Sequence, residues 1–190
     1  MSLSLTIETL EKELKSEDQR FSMSNTRKAD LLFCIKRDLD QAEGDISKSI
    51  SSLESVLLTL ASQGCASALR RLTKKTLKSL LIHFKNSKII STLIDYLKLT
   101  QSFKASPLAK STSFDIIGFI YSEFSTKLIS PPTEEVFESA AKFYKNCDSP
   151  LKKIIIKALN NVIKSRPSNL NPLIPEFLKF LLKAATVSEI

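Results

Sequence analysis

Glycine is nearly missing from this chain: Gly44, Gly64 and Gly118 are the only three in 190 residues. That scarcity argues against phosphate-cradling loops, glycine-turn hairpins and dinucleotide fingerprints, all of which need backbone that only glycine adopts freely. Tryptophan is absent and His83 is the single histidine. One imidazole does not make a His-based zinc site, and a Cys-His nucleophile would need partners that the sequence does not place. Cys34, Cys65 and Cys147 stand too far apart for a metal knuckle or a CxxC pair. Their odd number does not suit a disulfide framework either, so the expectation is reduced, mostly buried thiols of a cytoplasmic protein. No window approaches the roughly 18 uncharged apolar residues of a membrane span. The opening MSLSLTIETLEKELK interleaves charges with its apolar residues, unlike the core of a secretory leader.

What is present is helical periodicity nearly everywhere. Leu3, Ile7, Leu10 and Leu14 mark a short first helix, and the polar stretch SEDQRFSMSN follows it. Residues from about 25 to 43 carry Leu32, Phe33, Cys34, Ile35 and Leu39. Gly44 and Asp45 then supply a stop and a cap for a third helix striped by Ile46, Ile50, Leu53, Leu57 and Leu60, which halts near Gly64. Prolines at 107, 131, 132, 150 and 167 fall where helices start or have just ended. No segment sustains a period of two with turn signals, so the expected class is all-α with about nine helices.

Those helices repeat. With Leu69, Leu108 and Leu151 in register, eight residues later stand Leu77, Ile116 and Leu159. Eleven later come Leu80, Phe119 and Val162, twelve later Leu81, Ile120 and Ile163, and two after each start is a basic residue, Arg71, Lys110 or Lys153. A spacing of 39 and then 43 residues is the signature of a HEAT or armadillo array, an α-solenoid of helical hairpins. One such hairpin leaves its apolar stripe uncovered, whereas neighbours share a core. The division expected is a short helix and polar linker over 1–24, then a HEAT-like solenoid over 25–190. Phe177, Leu178, Phe180, Leu181, Leu182, Ala184 and Ala185 point nearly all round the last helix. The sequence therefore predicts cover on more than one side, by further repeats beyond residue 190 or by a homo-oligomer through this helix.

The net charge of +8 is unevenly spread: residues 1–65 sum to −3 and residues 66–190 to +11. Arg70, Arg71, Lys74, Lys75 and Lys78 fall within an arc of roughly 140° on one helix, with Leu69, Leu72, Leu77, Leu80 and Phe84 on the other side. They form the candidate partner-binding site, an electrostatic surface for acidic peptides, anionic headgroups or phosphates. A solvated outer face is the competing explanation. Nucleic acid is disfavoured because few aromatics accompany the basic residues and no recognised binding motif occurs.

Catalytic chemistry finds poor candidates. Thr133 followed by Glu134 and Glu135 reads as an N-cap with first-turn carboxylates countering the helix dipole. Asp115 reads as a hydrogen-bonded or exposed acid on an apolar helix, Gly118 as a site of close helix packing, and Tyr121 and Phe124 as core. The expectation is a protein that is not an enzyme, with no catalytic residue, cofactor or metal.

The runs RKADLLFCIKRDLDQ, ISSLESVLLTLASQGCASALRRLTKKTLKSLL and SPLAKSTSFDIIGFIYSEFSTKL, with IYSEF at Ile120 to Phe124, carry a family resemblance. In their order of hydrophobic registers they resemble the N-terminal region of the large HEAT-repeat proteins that accompany the clathrin adaptor AP-1. The resemblance implies a cytoplasmic protein-binding scaffold of vesicle transport, peripheral on trans-Golgi or endosomal membranes. Its partners would be other proteins, among them a disordered accessory subunit of the adaptor complex, and the membrane would be reached through them. A basic HEAT-repeat module binding nucleic acid or assisting ribosome assembly is the alternative, and a membrane-surface binder presenting one amphipathic helix is a third.

Overall fold

A computed structural model describes residues 3–15, 24–42 and 47–186, and among these every regular element is helical. Nine α-helices follow in order: α1 (Leu3–Lys15), α2 (Asn25–Asp40), α3 (Ser47–Gln63), α4 (Ser67–Ile82), α5 (Asn86–Gln101), α6 (Pro107–Phe124), α7 (Thr133–Tyr144), α8 (Ser149–Ser165) and α9 (Ile174–Thr186). The chain divides into two compact units. The first holds Met1–Lys85 and Lys104–Thr112; the second holds Asn86–Phe103 and Ser113–Ile190, so α6 belongs to both. The expected stop and cap at Gly44 and Asp45, Ile46 of the α3 stripe, and the polar stretch between the first two helices lie outside the described residues, apart from Ser24 and Asn25.

Local chemistry starts and ends these helices. Ser24 caps α2, accepting from the Arg27 amide at 3.3 Å, and Asp148 caps α8, accepting from Leu151 at 3.0 Å. Ser106 does the same for α6, receiving the Ala109 N–H at 3.1 Å. Each satisfies one of the donors that a helix start leaves without an internal partner. Gly64 closes α3 in the left-handed region at φ 83°, with its N–H donated to the Ala61 carbonyl at 3.0 Å. Arg166 ends α8 in the same region at φ 47°, where glycine would be unstrained and any other residue costs about 1 kcal/mol.

In the first unit α1 packs on α2 and α3, α2 on α4, and α3 on α4. Ile7 and Leu10 are fully buried, and the Gln63 side chain donates to the Leu14 carbonyl at 3.1 Å. Where the sequence sets residues 1–24 apart as a helix and linker, α1 thus lies inside the same compact unit as α2 to α4. On α2, Leu32, Ile35 and Leu39 are buried, but Phe33 is 61% exposed because it falls on the outer face. Two hydroxyls of α4 clasp α2: Thr76 donates to the Leu32 carbonyl at 3.4 Å and Ser79 to the Asp40 carboxylate at 2.6 Å. Hydrogen bonds from Lys36 and Ser79 hold the Asp40 carboxyl below the usual carboxylate range.

In the second unit α5 packs on α7, and α7 on α8. The Thr100 and Ser139 hydroxyls meet at 2.7 Å between α5 and α7. Gly118 of α6 lies against α8 so closely that a Cβ there would come within 2.7 Å of the Ala158 Cα. On α7, Phe137 meets Phe177 of α9 edge-to-face at 4.6 Å, and Tyr144 meets Phe180 at 5.1 Å. Such ring pairs contribute about 1 kcal/mol each beyond their burial. The repeat positions Leu77, Ile116 and Leu159 are all buried, whereas Leu108, at the start of α6, is 47% exposed.

Thr133 corrects a sequence expectation. The N-cap of α7 is Pro132, and Thr133 is the first helical residue, its hydroxyl turned inward instead of onto the helix end. It donates to Asn169 Oδ1 at 2.8 Å and contacts the Tyr121 hydroxyl at 3.2 Å, while Asn169 Nδ2 donates to the Pro131 carbonyl at 2.7 Å. Thr133 is the meeting point of α6, α7 and the loop after α8. Glu134 and Glu135 do occupy the first turn of α7.

Two stability changes follow. Gly118→Ala gains helix propensity of about 1 kcal/mol, yet it must push α6 off the α8 backbone, and the net expected is a loss of about 2 kcal/mol. A lowered urea midpoint checks this; an unchanged or raised one shows that the helices separate freely. Thr133→Val keeps the shape but strands Tyr121 and Asn169, and a loss of about 1–3 kcal/mol in the same assay is expected.

Candidate functional site

The basic residues singled out in the sequence do share one helix, α4, but they are not equivalent. Arg71, Lys75 and Lys78 are exposed, while Arg70 and Lys74 are half-buried. Arg70 donates to the Ser111 hydroxyl at 2.7 Å, tying α4 to the start of α6. Arg70, Lys74 and Lys78 each have a further interaction of their own, so part of this charge belongs to the fold. An acid of another helix does reach α4, because Ser79 is bonded to Asp40 of α2. That proximity comes from packing, since the sequence around α4 holds no acid between Glu54 and Asp95.

Cys65 is buried, its N–H donated to the Thr112 hydroxyl at 3.0 Å, and burial pushes its thiol up. Cys34 and Cys147 are partly exposed, and burial raises the Cys147 thiol against the opposing pull of Lys152. Tyr121 is buried, and desolvation lifts its hydroxyl far above the ordinary tyrosine range. Asp115 is half-buried with a partner of its own. Among the described residues no group of three or more His, Cys, Asp or Glu is placed to hold a metal ion, and no helix is long and apolar enough to cross a membrane.

A second basic surface arises in the second unit, and of its lysines the repeat register picks out Lys153 alone. The Asp148 cap starts α8 so that its inner stripe, Leu151, Ile155, Leu159 and Val162, enters the core. The opposite side of the helix carries Lys152, Lys153, Ile156, Lys157, Asn160 and Ile163. Tyr144 from the end of α7 and Phe177 from α9 complete a groove of about 610 Å³, open to solvent. Its floor is apolar and its rim cationic, with the Lys152 ammonium 5.5 Å from the centre of the Tyr144 ring. On the other flank of Phe177 is a smaller cleft of about 160 Å³ bounded by Glu134, Glu138 and Glu176, with Phe137 and Phe180 beneath. The α7–α9 aromatic cluster therefore separates a basic groove from an acidic cleft.

Within this chain the last helix is covered on one side. Phe177 is buried and Phe180 half-buried toward α7, but Ile174, Leu178 and Leu182 are 41%, 53% and 67% exposed. These three share one side of α9 at four-residue spacing. The side chains of Leu181, Ala184 and Ala185 lie outside the described residues. The signal for the groove was in the sequence, as Lys152, Lys153 and Lys157 interleaved with Ile156 and Ile163. It was masked by the tighter cluster on α4.

Comparison with known proteins supplies no relative: no family model, curated protein or solved structure matches this chain.

The two kinds of basic residue on α4 separate in a stability measurement. Arg71→Glu with Lys75→Glu is expected to change stability by less than about 0.5 kcal/mol. Arg70→Ala is expected to cost about 1 kcal/mol by freeing Ser111. Thermal unfolding of the two variants checks both.

Proposed function

We propose that this chain is a non-enzymatic protein-binding scaffold, an α-solenoid of HEAT-like hairpins acting in clathrin and AP-1-dependent vesicle transport at trans-Golgi or endosomal membranes. The repeat reading is supported by helices that meet the helix two along: α1 with α3, α2 with α4, and α5 with α7. The polar and steric contacts Arg70–Ser111, Gly118–Ala158 and Phe137–Phe177 extend the pattern to α4 with α6, α6 with α8, and α7 with α9. Successive hairpins that lay like helix on like helix produce this relation. The transport assignment is carried by the resemblance of the three quoted runs. Within IYSEF, Ile120, Tyr121 and Phe124 are buried, so the matching letters there describe how the hairpins pack.

The observation that carries the binding role is the lysine-rimmed apolar groove of the second unit. Surfaces that pair apolar anchors with a charged rim suit segments of other proteins. The exposed Arg71, Lys75 and Lys78 of α4 favour a second reading, a basic HEAT-repeat module contacting nucleic acid or aiding ribosome assembly.

Affinity purification of the tagged protein from its own cells, followed by mass spectrometry, separates the two. Enrichment of AP-1 subunits is the expected outcome. Recovery of ribosomal proteins instead, with RNA binding that weakens steeply between 50 and 200 mM salt as phosphate contacts are screened, overturns the transport assignment.

A further inference from the structure

We propose that the groove beside α8 seats one short amphipathic helix of a partner protein, its apolar stripe on Ile156 and Ile163 and its carboxylates on Lys153 and Lys157. This deepens the protein-binding reading and rests on it. Ile156 and Ile163 stand seven residues apart on α8 and both line the groove, which is two helical turns, or about 10 Å. A helix lying along α8 at the usual spacing of about 8–10 Å repeats its own side chains at the same rise. Its residues i, i+3 or i+4, and i+7 then follow the floor in step. Lys153 and Lys157 are one turn apart on the same helix and both exposed, so acids four apart on the partner meet both. Among the described residues neither lysine pairs with a carboxylate of this chain.

Charge placement selects the occupant. The basic surface ends at Phe177, beyond which Glu134, Glu138 and Glu176 bound the adjoining cleft. A nucleic-acid backbone tracking across would run from attraction into repulsion, whereas a helix of a few turns stays within the basic side. A single lipid or fatty-acid headgroup engages one cation and leaves the row along α8 unused. Lysine stems lying beside the apolar floor add contact area while the ammonium heads stay in water.

The test is fluorescence anisotropy on the whole chain with a labelled peptide of about 14 residues, or four helical turns. It carries leucine at i, i+4 and i+7 and glutamate beside that stripe. A scrambled peptide of the same composition, phosphatidylserine vesicles and oleate are measured alongside. The expected result is saturable binding of the amphipathic peptide, weakened at least tenfold by Lys153→Glu with Lys157→Glu and by Ile156→Ser. The exposed pair Lys85→Glu and Lys104→Glu matches the charge change and should leave binding intact. The lysine variants change only exposed side chains, so they decide the matter if Ile156→Ser fails to fold. Equal binding of the scrambled peptide, no saturable binding, no loss in the groove variants, or a groove-dependent preference for vesicles or oleate overturns the proposal. Recovery of AP-1 subunits equally by wild type and the lysine variant removes the groove and keeps the scaffold. Peptide binding without AP-1 recovery keeps the groove and removes the transport assignment.

Discussion

Every packing contact in this protein answers to one constraint: a helix with a single apolar stripe gains nothing until another helix covers it. Burying one leucine or isoleucine is worth about 2 kcal/mol, against a backbone ordering cost of about 1–2 kcal/mol per residue. Two helices in a hairpin leave too much of the stripe in water to offset that cost. The cover here comes from the helix two along, as α1 with α3 and α5 with α7 show. Where those backbones come closest, the residues at the contact are small. Gly118 rides on Ala158, and Thr100 meets Ser139. Among the described residues, the buried polar side chains other than tyrosine are all serine or threonine. Several return their hydroxyls to their own helix, as Thr73 does to the Leu69 carbonyl and Thr112 to that of Leu108, so burial leaves few donors unsatisfied. Ser113, buried with its hydroxyl unpartnered, is the exception, one residue from Thr112.

The same economy explains where helical periodicity could be read from sequence and where it misled. The register that places Leu77, Ile116 and Leu159 in equivalent positions picks out three buried residues, because a core stripe obeys the helix repeat whatever surrounds it. Leu108 shares the register yet is half-exposed, since it opens α6, ahead of the turns that the core covers. Phe33 sits among buried neighbours in sequence but on the outer side of α2. Thr133 has the sequence neighbours of an N-cap, and only the fold brings Asn169 and Tyr121 within reach of its hydroxyl. Contacts across 36 residues of chain do not appear in a local pattern.

Scarce glycine has a further consequence. Left-handed backbone is needed at the end of α8 and in the loop before α7, and Arg166 and Ser130 adopt it at φ 47° and 51°. Each holds a conformation that an L-residue resists by roughly 1 kcal/mol, so the surrounding contacts must enforce it. After Arg166 comes Pro167, whose carbonyl accepts the Leu170 N–H at 3.0 Å. Asn169 of the same loop ties back to Pro131 and Thr133. The turn that delivers α9 to α7 is thus built from a strained residue held by a hydrogen-bonded loop, and α9 arrives with Phe177 and Phe180 against the α7 rings.

That arrival is what creates the groove. The outer lysines and isoleucines of α8 would form an ordinary amphiphilic helix surface if Phe177 did not wall one side and Tyr144 one end. A clustered charge in sequence, such as the set on α4, needs no neighbour to be noticed, yet the fold consumes part of it: Arg70 is committed to Ser111. The charge on α8 is weaker by count, but it borders an apolar floor, and Lys153 and Lys157 are exposed. A binding surface depends on the difference between what a residue could engage and what its own fold already engages. By that measure Lys153 and Lys157 on α8, like Arg71 and Lys75 on α4, are cations that the fold leaves exposed.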